Sequence, residues 1–143
     1  MILFVGLLTA MVQAPLPAPV PSPLLDWRSA PIAPGSWVWR SVPGGSEALF
    51  GGPTGVQLTL RCTLGNRTLT LVRSGAVPGM VLTVRTSNLD RSLPLSGTLG
   101  AQDPLLDAIA FSRGRFAVEG GGVPRLVVPA WPEAARAVED CRK

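Results

Sequence analysis

The chain has 143 residues, with 13 Lys or Arg against 9 Asp or Glu and no histidine. That length holds one domain and not two, and a hydrophobic content of 46% with 15% charge argues against general disorder. Without histidine there is no serine–histidine–aspartate triad, no cysteine–histidine pair and no histidine-rich zinc site, and two cysteines cannot make a site of four thiolates. Neither a metal nor a cofactor is expected. All the basic residues but Lys143 are arginines, and they are scattered through the chain. A nucleic-acid binder shows a basic stripe with interleaved aromatics; here aromatics are 6% and tyrosine is absent. Nucleic acid is therefore not an expected partner, whereas an anionic polysaccharide or a membrane surface suits the charge.

Residues 2–12 form an apolar run of the length of a signal-peptide core. As a helix it would span roughly 16 Å, about half of a bilayer's hydrocarbon thickness, so it does not read as a transmembrane helix. Val12-Gln13-Ala14 resembles a small-x-small cleavage site, although no basic residue precedes the run and Pro15 follows it. Residues 1–14 are read as a signal-peptide-like segment. Prolines at 15, 17, 19, 21 and 23 lock φ and remove backbone donors. Residues 15–34 are accordingly expected to be an extended linker or stalk, and 35–143 the single β-rich domain.

Within that domain, Trp37-Val38-Trp39 and Glu47-Ala48-Leu49-Phe50 flank Pro43-Gly44-Gly45-Ser46, a strand, a turn and a strand. Val56, Leu58, Leu60, Cys62 and Leu64 then alternate with polar residues at period two. Gly65-Asn66 supplies a two-residue turn of residues that tolerate positive φ. It sets Leu64 opposite Arg67, Cys62 opposite Leu69 and Leu60 opposite Leu71, so the apolar side chains share one face. Residues 80–87 and 91–95 give two more strands. Asp103 caps a short helix near 104–112, with Pro104 in its first turn and Gly114 ending it. Leu105, Leu106, Ile109 and Phe111 supply its apolar side. Residues 115–119 and 125–128 form a hairpin across three glycines, and a C-terminal helix runs near 132–141. Its stripe of Ala134, Ala135, Val138 and Cys141 faces the sheet. Cys141 and Cys62 are thereby pointed at each other by independent patterns, and in an exported chain they should form a disulfide. In the chain-entropy picture, closing so long a loop is worth about 4.5 kcal/mol. If the chain stayed in the cytosol, the two would instead be free buried thiols.

Three residues stand out as candidate partner-binding groups. Arg113 and Arg115 flank Gly114, and two guanidiniums there can grip a carboxylate or phosphate; the structural alternative is a glycine C-cap with both arginines solvated against the helix dipole. Trp131, before Pro132, reads as an edge cap or as a sugar-stacking platform. Asp103 and Asp107 stand four apart on one helix and are the only carboxylate pair that suggests acid–base work, though Asp103 already has a role as N-cap. Gly51-Gly52-Pro53-Thr54-Gly55 lacks the lysine and following helix of a phosphate-binding loop.

Several stretches form a series: Gly35-Ser36-Trp37-Val38-Trp39-Arg40, Ala48-Leu49-Phe50-Gly51, Arg61-Cys62, Asp103-Pro104-Leu105-Leu106-Asp107 and Phe111-Ser112-Arg113-Gly114-Arg115-Phe116. It closes with Val127-Val128-Pro129-Ala130-Trp131-Pro132-Glu133 and Val138-Glu139-Asp140-Cys141-Arg142. The series resembles a family of small exported proteins of sphingomonad-type alphaproteobacteria that carry no assigned reaction. The resemblance covers roughly residues 26–143; it implies a periplasmic location and no functional residue. More loosely, small periplasmic β-domains that inhibit lysozyme are similar in tying a strand cysteine to a C-terminal one, but their tyrosine-containing inhibitory loop has no counterpart here.

The expectation is thus a mainly antiparallel β-sandwich or barrel with two helices, the second tied by a Cys62–Cys141 disulfide. Its expected role is that of a non-catalytic periplasmic or secreted module binding a protein or an anionic polysaccharide of the envelope. The alternatives are a carboxylate-dependent envelope hydrolase and a lysozyme-inhibitor-like domain.

Overall fold

The computed structural model describes residues 12–17 and 26–143. Most of the expected export segment and the proline series at 18–25 lie outside the described residues; residues 12–17 are irregular and exposed. Strand β1 (Ser36–Val42) turns through Pro43-Gly44 into β2 (Gly45–Gly52). Pro43 presets φ for the first turn position and Gly44 takes φ +79° at the second, the sequence of a type II turn. Next come β3 (Gly55–Thr63), β4 (Thr68–Arg73), β5 (Leu82–Arg85), β6 (Asp90–Ser92) and β7 (Thr98–Gly100). Helix α1 (Pro104–Ala110), β8 (Arg115–Gly120), β9 (Leu126–Pro129) and α2 (Pro132–Asp140) complete the order.

The strands form two antiparallel sheets, β1-β2-β3-β4-β7 and β6-β5-β8-β9. Leu58, Leu60, Cys62, Leu69 and Leu71 from the first and Val84, Phe116, Val118 and Val128 from the second share one buried core. Trp37 bridges the layers: its ring lies 5.5 Å from Phe50 and 6.2 Å from Phe116, and its Nε1 donates to the Pro129 carbonyl at 2.7 Å. Helix α2 lies along β1–β3 and beside α1. The Cys62–Cys141 disulfide is closed, with Cα atoms 5.5 Å apart, and both residues are buried. No helix among the described residues is long and apolar enough to cross a membrane.

The expected β3–β4 register is present, Cys62 facing Leu69 and Leu60 facing Leu71, but the turn is longer than two residues. Ladder pairing stops at Thr63 opposite Thr68, and Arg67, not Asn66, takes the left-handed φ of +51°. Its carbonyl accepts Ala101 N–H at 3.0 Å and its guanidinium bonds the Cys141 and Lys143 carbonyls, partners that hold it there against the cost of that conformation. Val56 and Leu64, at the ends of the alternating run, are half exposed: Val56 lies past the β2–β3 register shift and Leu64 beyond the end of the β3–β4 ladder.

Helix α1 stops earlier than its sequence suggests. Phe111 N–H returns to the Asp107 carbonyl and closes the last turn, leaving the Phe111 ring 69% exposed instead of on the apolar side. Gly114, at φ +75°, turns the chain into β8 and does not cap the helix. In α2 the buried stripe is Ala134, Ala137, Val138 and Cys141, with Ala137 in place of Ala135, the spacing of three and four that keeps one face. Strand β7 has no antecedent in the sequence reading; three residues carry too little alternation to show.

The boundary expected at residue 34 also moves. Asp26 accepts the N–H groups of Ser29 and Ala30 and closes a turn. Trp27 and Ala30 are buried against Ala117 and Val127, on the face of the second sheet opposite the main core. Ala33 N–H then donates to the Val127 carbonyl at 2.8 Å. Residues 26–34 are a strap over the domain, not part of a linker.

Candidate anion-binding site

Two loops and the strap meet at one end of the second sheet. In the loop after β5, Thr86 Oγ1 donates to the Leu89 carbonyl at 2.6 Å and accepts the N–H groups of Asn88 and Leu89. That one hydroxyl thus satisfies backbone groups that a tight turn would leave unpaired. Ser87 N–H donates to Ser112 Oγ at 3.0 Å, Ser112 Oγ donates to the Arg115 carbonyl at 2.5 Å, and Arg113 N–H donates to Ser87 Oγ at 2.7 Å. The 86–90 and 112–115 loops are therefore stitched together through two serines, and Ser112 is buried between them.

This stitching fixes the backbone at Arg113 and Arg115, and the strap adds a third cation. Arg28 lies with its guanidinium carbon 4.7 Å from the Trp27 ring centroid and its Nη1 3.5 Å from Asp26 Oδ1. Trp27, Arg28, Ser87, Arg113 and Arg115 line a cavity of about 250 Å³. No carboxylate is among the residues lining it. Arg115 donates to the Ala30 carbonyl at 2.5 Å, which ties β8 to the strap. Arg113 is exposed, and neither it nor Arg115 enters an ion pair among the described residues. Three arginines lining one concavity form a candidate site for a carboxylate or phosphate, since a guanidinium offers planar, permanently charged donors.

Of the residues singled out by sequence, Arg113 and Arg115 come together here and Trp131 does not. Trp131 occupies the position before α2, makes no capping side-chain bond and is 43% exposed, away from the residues lining the cavity. Trp27 and Arg28 escaped the sequence reading because they sat within the expected linker. The available signal was Trp27 itself, a large side chain with no use in a solvated stalk. Asp103 and Asp107 are each engaged by an arginine. Asp103 Oδ1 accepts Leu105 N–H at 2.9 Å and Arg91 at 2.6 Å, and Asp107 Oδ1 accepts Arg142 at 2.6 Å. Their contacts are those of a cap and of an α1–α2 tie.

Comparison of the chain with protein-family models, with curated proteins and with solved structures returns no match.

Proposed function

We propose that this protein is an exported, non-catalytic binding module that grips an acidic group of another envelope component between Arg28, Arg113 and Arg115. The observation that carries the reading is that three arginines, from the strap and from both sides of Gly114, line one cavity with no carboxylate among its lining residues. Export is supported by the closed disulfide, which belongs with an oxidising compartment, and by the apolar segment ahead of the prolines. The ligand chemistry is that of a carboxylate or phosphate ester displayed on a polysaccharide or protein.

Arg113 is the informative residue to change, because its side chain is exposed and ties no other part of the fold. Titration with an oligogalacturonate, followed by calorimetry at two salt concentrations, should show binding that weakens as salt rises. Arg113→Ala should reduce the affinity about tenfold, as expected for one charge-assisted contact, with the melting temperature unchanged. An affinity indifferent to salt and to Arg113→Ala would overturn the reading.

A further inference from the structure

A second and larger concavity lies at the cysteine-bearing end of the first sheet, and its composition differs from that of the three-arginine cavity. It has a volume of about 540 Å³ and is bounded by the β1–β2 end, the 64–67 turn and α2, within the roughly 300–1,000 Å³ usual for small-molecule sites. Arg136 projects from α2 with its guanidinium carbon 3.3 Å from the Trp39 ring centroid. This is a cation–π contact, which holds the guanidinium and its donors against the indole. Arg136 makes no ion pair and no hydrogen bond among the described residues, so those donors are oriented and unused. Arg67 and Lys143 add positive charge to the same wall, and Leu64, half exposed, adds an apolar surface.

The same concavity also holds Asp140. Its carboxylate is fixed by Trp39 Nε1 at 3.0 Å and by the buried Ser46 Oγ at 2.8 Å, both on Oδ2. Burial pushes its carboxyl up, but the hydrogen bonds from Ser46 and Trp39 and the nearby Lys143 ammonium outweigh that and hold it below its ordinary value. An ionised carboxylate beside the arginines repels a simple anion, and it accepts hydrogen bonds from a ligand that carries hydroxyls. The ligand that satisfies both halves of this wall is a polyhydroxylated acid. Its acid group meets Arg136, its hydroxyls meet Asp140 Oδ1 and Ser41, and its ring carbons lie on Leu64 and the indole edge.

We infer that this groove is a binding site for an acidic saccharide, with Arg136 as the carboxylate anchor and Asp140 as the hydroxyl acceptor. The inference is independent of the three-arginine cavity, because no residue lines both.

Indole N–H resonances separate the two sites, since Trp39 borders this groove and Trp27 borders the other cavity. Two-dimensional ¹H–¹⁵N spectra of the whole protein, with the four tryptophan signals assigned by Trp→Phe substitution, are titrated with trigalacturonate, galactose and succinate. The Trp39 signal should move saturably with trigalacturonate. With galactose or succinate it should move only at concentrations about tenfold higher or more, each probe lacking one of the two required features. Arg136→Gln, on an exposed position of α2, should weaken the trigalacturonate response about tenfold or more while the Trp37 signal and the melting temperature stay in place. The inference is overturned if the Trp39 signal stays still with trigalacturonate, or if succinate shifts it as readily, which would mean an unselective anion patch. Movement of the Trp27 signal alone would also overturn it, while leaving the first site standing.

Discussion

Asp140, the last residue of α2, shows how one side chain links packing to pH. Its Oδ2 accepts from Trp39 and Ser46, and its Oδ1 lies 3.4 Å from Lys143 Nζ. Burial alone would raise its pKa; these partners bring it below the ordinary carboxylate value. A group whose folded pKa is depressed stabilises the fold above the unfolded value, here about pH 4, and that stabilisation is lost as pH falls through the folded value. Asp140→Asn should therefore lower stability at neutral pH, and its deficit relative to the native chain should shrink below about pH 4. Urea unfolding of both proteins between pH 2.5 and 7 measures this; a deficit that stays constant over the range would show that the charge is not involved. Asp140→Ala should be worse than Asn at every pH, because it also orphans the buried Ser46 hydroxyl, at a cost of about 1–3 kcal/mol. None of this was visible in sequence. Nothing in the residues around Asp140 points to its partners; only the β1–β2 register brings Trp39 and Ser46 beneath it.

At the scale of elements, period two in β3 was strong enough to set both the β3–β4 register and the buried side of Cys62, because a slip by one residue would expose every leucine on that face. The helix was less legible. Ala135 and Ala137 are chemically alike, so composition cannot say which one faces the sheet, and the sequence choice of Ala135 was wrong; the structure buries Ala137 completely. The difference is testable. Ala137→Leu should cost about 1–3 kcal/mol by overpacking the α2–sheet contact, whereas Ala135→Leu should cost much less. Equal effects in thermal unfolding would mean that α2 can rotate to accommodate either. The disulfide limits such rotation and anchors the last turn of α2 to β3. It closes a separation of 79 residues, so Cys62→Ala/Cys141→Ala should lose about 4.5 kcal/mol in the chain-entropy picture, with dithiothreitol producing a comparable loss in the native chain. A loss well under 2 kcal/mol would place most of the α2 anchoring in Ala134, Ala137 and Val138.

For the molecule as a whole, the sequence marked the β-rich composition and the two helices but drew the domain edge in the wrong place. Alternating prolines dominate the reading of 15–34, and the short Asp26–Ala30 turn has no periodicity with which to announce itself. The strap is held by long-range partners, namely Ala117 and Val127 beneath Trp27, and Arg115 beneath Ala30. Because the strap also carries Arg28, it unites folding and binding in one segment: the three-arginine cavity exists only while the strap is seated. Trp27→Ala should accordingly do two things at once. It should cost about 3 kcal/mol, as loss of a buried indole does, and it should weaken oligogalacturonate binding even though it removes no charge, since Arg28 is no longer placed beside Arg113. Arg28→Ala, by contrast, should weaken binding without a comparable loss of stability, because its guanidinium is exposed and its ion pair with Asp26 is a surface one. Parallel calorimetry and urea unfolding on the two variants separate the roles. If Trp27→Ala retains both native stability and native affinity, the strap contributes neither to the folded unit nor to the site, and the cavity must be built from Arg113 and Arg115 alone.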